Sequence, residues 1–533
     1  MEATTIPFNQ TGYFSKLICD YLDEKKGLQP FYNRFPSLKQ FKDQIAEKSS
    51  NYPSAHRQVL VNSLKLQYTK TSTSEMTMKH IESIANSKTF TVVTGHQLNL
   101  FTGPLYFLYK IVSTINLTQK LKQEYPDFDF VPIYWMATED HDFDEINYFN
   151  YEGKKIQWNQ DNQGAVGRLP LNDLEAIHEL IVKRFGTSEN AKELIQLFEQ
   201  AYLGNKRLTE ATRFLVNEIF KDYGLVIIDG DDADLKKLLV PYIEKDIFDN
   251  TAFEEVTTTI KNLEQVSDEY KIQVNPREIN YFYLKDGLRE RIIERDGNYI
   301  INDTEIVFSR EELIAELENH PECFSPNVIT RPLYQEVILP NLCYIGGGGE
   351  LAYWLELKNS FKAAEISFPM LLLRNSVLLI SAKQDQKIAN LDLSIKDLFL
   401  QQNSLINKKI RKISNIDIDF SPQKKQLTAQ FKALYDLARE TDKSFLGAVQ
   451  AQEVKQKKGL DNLEKRLLKA QKRKLKDHVI RLTDLQNELF PNYSLQERQE
   501  NFSKFYLELG HDLIKGLFDN LDPLKQEFLV LRY

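Results

Sequence analysis

The chain predicts an α/β protein, an open and largely parallel sheet with helices on both faces and inserted segments, followed by a long α-helical coiled coil. Three observations carry that expectation. A strand, a helix and a second strand run from residue 89 to 137 at the spacing of a βαβ crossover. The pattern of buried strand, acidic turn and helix returns in "GLVIIDGDDADLKKLL" (224–239). Strands then stop after about residue 383, and leucines begin to recur at every seventh position.

Residues 1–88 read as a helical segment packed on the core, since "YFSKLICDYL" and "HRQVLVNSLKLQY" space their apolar residues by three and four. The core is expected over 89–383. "TFTVVTG" (89–95) is a β-branched run ending in glycine. In "TGPLYFLYKIVSTINLTQKL" Pro104 suits a first helical turn, and Leu105, Leu108, Ile111, Val112 and Ile115 form one stripe. "FVPIYWMA" supplies the second strand. Insertions are expected at about 146–222, opening with the hairpin "INYFNYEG"/"KKIQWNQ", and at about 240–300. "TEIVFSREELIAEL" (304–317) reads as a strand and a helix with Ser309 and Glu312 as a capping box. "FPMLLLRNSVLLI" (368–380) is strand-like.

Residues 384–490 contain one proline, Pro422, and two glycines, Gly447 and Gly459. Leu468, Leu475, Leu482 and Leu489 keep a seven-residue interval, while Leu460, Leu463 and Leu467 belong to an earlier phase. This predicts long helices with a register shift near 470, in an antiparallel or intermolecular coiled coil. Residues 491–533 read as helices and a terminal strand returning to the core.

At 533 residues the chain is long enough for two to four structural units. Its composition, 42% hydrophobic and 27% charged, is that of a globular protein. A net charge of −8 speaks against a general nucleic-acid binder. The basic run "KRLLKAQKRKLK" (465–476) reads as the solvated face of a coiled coil. Cys19, Cys323 and Cys343 form no CxxC pair, which fits a reducing compartment. No run reaches the roughly 18–20 apolar residues of a membrane span, and "MEATTIPFNQTGYF" lacks a signal-peptide pattern. The expected location is cytoplasmic.

Ligands of open α/β sheets bind beyond the carboxyl ends of the strands. Three stretches fall there. In "TGHQLNLFTGPLY", Gly95 and Gly103 permit tight turns, the helix start can hold an anion, and His96, Gln97, Asn99 and Thr102 offer hydrogen bonds, with Tyr106 and Lys110 on the helix behind. The alternative is an ordinary Gly-Pro turn. In "TEDHDFDEIN" (138–147), Glu139, Asp140 and Asp142 surround His141 directly after a buried strand. Such a cluster binds a cation or an amine, or sets up an acid–base pair. The alternative is a solvated loop. In "SPNVITRPLYQEVILPNLCYIGGGGELAYW" (325–354), Gly346 to Gly349 bring backbone close to a ligand or form a mobile loop, and Glu350, Tyr353 and Trp354 start a helix. Asn327 and Arg331 precede them, and Arg331 either grips a carboxylate or pairs with Glu336. The glycine run matches neither a phosphate loop nor a dinucleotide fingerprint.

Together, "VVTGHQLNLFTGPLYFLYK", "VPIYWMATEDHDFDEIN", the 325–354 stretch and "LQERQEN" (495–501) resemble the bacillithiol-biosynthesis cysteine-adding enzymes over essentially the whole chain. The resemblance implies a Rossmann-type core related to class I aminoacyl-tRNA synthetases and a coiled coil that makes a homodimer. It implies ligation of cysteine to the amine of glucosaminyl malate, with ATP as co-substrate by analogy and no metal in the protein itself. That family commonly carries Gln where this chain has His96, and the chain has neither HxGH nor KMSKS. In such a site Glu139, Asp140 and Asp142 are expected to hold an ammonium and His141 to take its proton, while Lys110, Arg331 and the helix start at Gly103 face the malyl carboxylates. Two other readings stay open: a metal-dependent hydrolase using the Glu-Asp-His-Asp cluster, and a non-catalytic coiled-coil scaffold.

Overall fold

Residues 1–160 and 163–533 are described by a computed structural model. Asp161 and Asn162, inside the expected 146–222 insertion, lie outside the described residues. The chain forms two compact units. The first comprises Met1–Asn9, Tyr13–Leu379 and Ser494–Leu531, and the second Gln10–Gly12, Ile380–Tyr493 and Arg532–Tyr533. In chain order the strands are β1 (Glu2–Ile6), β2 (Thr89–His96), β3 (Asp129–Met136), β4 (Tyr148–Tyr151), β5 (Lys154–Gln157), β6 (Val226–Asp229), β7 (Tyr281–Lys285), β8 (Leu288–Arg295), β9 (Asn298–Ile301), β10 (Val307–Phe308), β11 (Phe324–Pro326), β12 (Asn341–Gly346), β13 (Met370–Leu373), β14 (Val377–Ile380) and β15 (Phe528–Arg532).

The central sheet runs β13-β12-β2-β3-β6 with every pairing parallel. Read from the β6 edge, its strands come third, second, first, fourth and fifth in the chain. That is the Rossmann order, and the direction of winding reverses between β2 and β12. Every residue of β2 is buried, as two-faced covering of a parallel sheet requires. Phe90, Val92, Leu117, Leu121, Phe130, Leu342, Cys343, Ile345, Met370 and Leu372 join Phe41 and Ile45 in one core cluster. The helix Tyr106–Glu124 crosses from β2 to β3. It is buried beyond its apolar stripe, because its polar groups have internal partners: Ser113 donates to Asn375 at 2.9 Å and Asn116 to the carbonyl of Leu521 at 2.7 Å.

Several elements differ from the sequence expectation. The segment 1–88 is not wholly helical, since β1 enters a three-stranded sheet of order β1-β15-β14. The strand in "TEIVFSREELIAEL" does not join the parallel sheet. As β10 it edges a second, antiparallel sheet of order β10-β9-β8-β7-β11, built largely from the 240–300 insertion. Its capping box forms as expected, with Glu312 N donating to Ser309 Oγ at 3.2 Å and Ser309 N to Glu312 Oε2 at 2.8 Å. "FPMLLLRNSVLLI" is two strands in two sheets, parted at Arg374–Ser376. The Arg374 side chain is buried there and binds the carbonyl of Asn375 and the Ser376 hydroxyl.

In the second unit, helices Ser421–Arg439 and Lys443–Lys474 form an antiparallel hairpin. Lys424 pairs with Asp461 at 2.6 Å and Glu464 at 2.9 Å, Tyr435 donates to Glu453 at 2.8 Å, and Phe431, Ala438 and Val449 fill the seam. Asp442 caps the second helix through Ser444 N and Phe445 N. The seven-residue leucine series does not lie on one continuous helix. The helix breaks at Leu475 (φ −101°, ψ 33°) and resumes as Lys476–Leu489. Leu482 and Leu489 are buried, and that helix packs on Gln402–Ile413 of the same chain. The exposed apolar residues of the hairpin include Leu434, Leu437, Phe445, Leu446, Val454 and Leu463. Among the described residues no helix is long and apolar enough to cross a membrane.

Candidate active site

Strands β2 and β3 are paired so that Gly95 lies opposite Trp135 and His96 opposite Met136, and Ala137 N donates to the carbonyl of His96 at 3.1 Å. Their carboxyl ends, with that of β12, open into one cavity of about 1210 Å³. Gly95 forms part of its floor. A Cβ there would stand 3.3 Å from the Tyr344 hydroxyl and 3.9 Å from Arg331 Nη1. His96 and His141 line the same cavity, as do Glu139, Asp140, Gly95, Gln97, Asn99, Gly103, Tyr106, Lys110, Asn327, Arg331, Glu350 and Tyr353.

Three expected residues lie elsewhere. Trp354 is fully buried against Tyr344, Phe361 and Phe368. Tyr353 before it reaches the cavity, but the position of Trp354 on the helix faces the core. Thr102 is buried in the turn behind the wall and does not line the cavity. Asp142 caps the short helix Phe143–Ile146 by accepting from Glu145 N at 3.3 Å, which is the ordinary work of an acid before a helix.

Lys110 and the helix start are not available to an anion as expected. Lys110 is buried, donates to the Gly95 carbonyl at 2.5 Å and pairs with Glu350 at 2.7 Å. Glu350 also accepts from the Tyr344 hydroxyl and from Gly347 N, each at 2.7 Å. Burial opposes charge on Glu350, but Lys110 and these donors outweigh it and hold its carboxyl below the usual range. At the turn, Phe101, Thr102 and Gly103 all have positive φ, and the helix begins only at Tyr106. Leu105 N is spent on the Glu500 carbonyl at 2.8 Å. Burial, with Lys110 nearby, pushes His96 down to about 3, so its imidazole stays neutral.

The acids after β3 divide. Asp140 accepts from Gln97 Nε2 and from His141 N at 2.7 Å. Burial disfavours its charge, yet these bonds and Arg289 prevail and keep it well below the usual carboxylate range. Glu139 turns inward to Lys236 at 2.5 Å. Lys236 is shared with Asp231 at 3.1 Å, and Asp231 also takes Arg168 at 2.7 Å. With only part of one cation, Glu139 is raised above its ordinary value by burial. Arg289 Nη1 stands 2.7 Å from His141 Nδ1. An arginine can only donate, so at this 2.7 Å contact Nδ1 supplies its lone pair and the neutral ring carries its proton on Nε2, although Asp140 Oδ1 also lies 3.5 Å from Nδ1. The expected proton acceptor at His141 is therefore already engaged. Among the described residues no group of three His, Cys, Asp or Glu side chains converges as a metal site. Lys236, Gln97 and the helix start draw Glu139, Asp140 and Asp142 apart.

Sequence reasoning missed several charged residues of the cavity. Arg277 and Arg289 come from the inserted segment and its antiparallel strands, where no motif marks them. Arg374 sits in the break between β13 and β14. Arg498 and Glu500 lie in "LQERQEN", a stretch that was recognisable but carried no assigned role. The pairing of Arg331 with Glu336 does not form, because Glu336 takes Lys48 at 3.0 Å.

A Rossmann-ordered sheet with a deep charged cavity over its switch point, joined in one chain to a helical coiled coil, defines a Rossmann-like enzyme. The chain belongs to the BshC family of bacillithiol biosynthesis. Its residues 1–375 match the family's N-terminal Rossmann-like domain and residues 377–533 its C-terminal coiled-coil domain. It is 57% identical to a protein of Christiangramia forsetii, over 100% of this chain and 99% of that one, and 57% identical to one of Flavobacterium johnsoniae, over 100% of both. A relative in Bacillus thuringiensis is 29% identical over 97% of both chains. All three carry the name "Putative cysteine ligase BshC". The chain is accordingly an enzyme of the ligase class.

Proposed function

We propose that this enzyme joins L-cysteine to the amine of glucosaminyl malate, forming bacillithiol by an amide bond. The observation that supports this reading is the charge layout of one cavity. On one side stands Asp140, held ionised. Elsewhere on its walls stand Arg277, Arg331 and Arg498, for which no carboxylate partner is found among the described residues. Such a cavity suits substrates that carry ammonium and carboxylate groups together.

In this reading Asp140 holds the ammonium of the incoming amine. The amine must lose a proton before it attacks the cysteine carboxyl carbon, and the C–O bond that breaks there would release the oxygen together with the activating group that ATP would supply. Glu139 receives that proton, because its carboxyl is buried, raised and only half neutralised by Lys236. His141, fixed by Arg289 with its proton on Nε2, orients Asp140 through their adjoining backbone. Arg331 keeps a guanidinium nitrogen, Nη2, with no acceptor among the described residues, and it takes a substrate carboxylate. ATP as the activating co-substrate rests on the family resemblance. The β2 turn, with Leu105 N spent on Glu500, offers no open phosphate cradle, so that turn is assigned no part in holding the nucleotide.

We further propose a cytoplasmic homodimer made through the coiled coil, with no nucleic acid or membrane as partner. The exposed Leu434, Leu437, Phe445, Leu446 and Val454 support the dimer, because the antiparallel pairing sets Leu434 level with Val454. The test of function is thiol analysis of a strain lacking the gene. Bacillithiol should vanish while glucosaminyl malate persists, and restoring the gene should reverse both. Unchanged bacillithiol would sink the reading. Purified protein should also form the amide from cysteine, glucosaminyl malate and ATP.

A further inference from the structure

The segment Leu495–Asn501 forms a clasp around the cavity. Gln496 exchanges two hydrogen bonds with the backbone of Leu379, at 2.9 and 3.0 Å. Glu497, fully buried, accepts from Arg374 Nη2 at 2.7 Å and from Val377 N at 2.9 Å. Asn501 donates to the carbonyls of Phe101 at 2.8 Å and Gly103 at 2.6 Å. Each of these side chains pins a different piece of the wall. The residues between them, Arg498, Gln499 and Glu500, line the cavity itself.

What the clasp holds is Arg374. This side chain is 3% exposed and lines the cavity. Its two terminal nitrogens are committed to Glu497, the Asn375 carbonyl and Ser376, but its Nε–H has no acceptor among the described residues. A buried cationic donor left without an acceptor is unfavourable, and an incoming oxyanion would relieve it. The Nε looks onto Gly347, where a Cβ would stand 3.8 Å from it and 3.3 Å from Glu350 Oε2, the carboxylate oxygen that already accepts from Gly347 N. Gly347 opens the helix Gly348–Leu355, whose first turn adds N–H groups with no partner inside the helix. Arg374 lies 4.6 Å over the Tyr106 ring, and the charge of Arg498 also reaches the Tyr106 hydroxyl. The carboxylates of this wall each hold a cation: Glu350 has Lys110, Glu497 has Arg374, and Glu500 has Lys504 at 2.7 Å through Oε1, its Oε2 being buried with no hydrogen-bond partner among the described residues.

We infer that Arg374 Nε, Arg498 and the start of the helix Gly348–Leu355 form an oxyanion subsite, and that it takes a carboxylate of the acceptor's dicarboxylate. Glu497 is a positioning residue that acts through Arg374. The inference rests on the reading proposed above for the identity of that acceptor. A phosphate offers the same oxygens, and the test separates the two sources.

Calorimetric titration of the full-length protein with L-malate alone and with inorganic pyrophosphate alone provides that test. Malate should bind the wild type, and Arg498→Ala should weaken it at least tenfold with an unchanged melting transition. Glu497→Gln should weaken malate similarly and raise the KM for glucosaminyl malate while leaving the KM for cysteine unchanged. Pyrophosphate binding should be the same in all three proteins. Malate binding that ignores both substitutions, or absent from the wild type, overturns the subsite. Loss confined to pyrophosphate overturns the carboxylate assignment. If Glu497→Gln fails to fold, Arg498→Ala, whose side chain is exposed, still decides. A subsite confirmed in a protein that makes no bacillithiol refutes the proposed reaction and not the subsite, and the reverse outcome refutes the subsite alone.

Discussion

Arg289 places a guanidinium nitrogen 2.7 Å from Nδ1 of His141. The contact joins a strand of the inserted antiparallel sheet to the turn after β3. It also fixes which imidazole nitrogen carries the proton, and so moves the proton acceptor from His141 to Glu139. Glutamine at 141 can still accept from Arg289. His141→Gln should therefore lower kcat by about tenfold or less, whereas Glu139→Gln should lower it by roughly a hundred- to ten-thousandfold. Glu139 is pushed up to about 7 by burial, so wild-type kcat should fall as pH drops below about 7. That limb should persist in His141→Gln and disappear in Glu139→Gln. A limb lost in His141→Gln alone would return the role to the histidine.

Asp140 acts through its charge. Gln97 and His141 hold the carboxylate ionised below its ordinary range, so no change in amine binding from this group should appear between pH 5 and 9. Asp140→Asn should raise the KM for the amine substrate by about tenfold or more, the order expected for a lost charge-assisted hydrogen bond. The effect on kcat should be smaller. Steady-state kinetics with the amine varied at fixed cysteine measures both.

Glu356 carries a different kind of pH dependence. It is buried and accepts from Gln273 N at 2.8 Å and Val274 N at 3.1 Å, holding a segment that lines the cavity. Burial raises its carboxyl from 4.5 to about 7. A raised acid binds its proton more tightly in the folded state, so its contribution to stability is complete below about 4.5 and is lost as pH rises through about 7. Glu356→Gln should flatten the fall in melting temperature across that window. An unchanged slope would remove Glu356 from the account.

Gly103 is required by conformation and by space. Its φ is +63°, and a Cβ would stand 2.5 Å from Asn99 Cβ. Phe101 and Thr102 before it already have positive φ. Gly103→Ala should cost about 1–3 kcal/mol of stability. It should also lower activity by displacing Asn99. Gly447→Ala, in an open helical position, should not. Thermal unfolding of the two variants separates site strain from a general glycine effect.

The dimer should depend on the hairpin and not on the seven-residue leucines. Leu437→Glu combined with Val454→Glu should convert a dimer to a monomer in sedimentation velocity at micromolar concentration, with helicity retained. Dimerisation that survives the pair would place the interface elsewhere.

Much of the central architecture was legible because it repeats. The β2–helix–β3 unit shows its period in Val92, Leu108 and Ile133, and the β6 turn repeats the acid-after-strand pattern at Asp229. The second sheet was not legible in that way. Strands β8 and β9 are half-exposed and rich in charge, so alternation signals a surface hairpin but not its five-stranded partnership. The site followed the same division. Residues at the end of a buried strand or just after it, such as His96 and Asp140, announce themselves by position. Arg289 and Arg374 reach the cavity from distant segments, and Thr102, Asp142 and Trp354 miss it by the turn of one residue. The leucine series misled in part because Leu482 and Leu489 satisfy a helix of their own chain.

The three-stranded sheet places β15 between β1 and β14, although residues 528–532 follow β14 by about 150 positions. During synthesis the edges of β1 and β14 wait for a strand that the ribosome delivers late, and the clasp at 495–501 arrives only shortly before it. The sheet edge and the cavity wall are therefore both closed by segments far along the chain, and a chain cut before residue 495 would keep all five parallel strands while losing Arg498 and Glu500 from the cavity and Glu497 from Arg374.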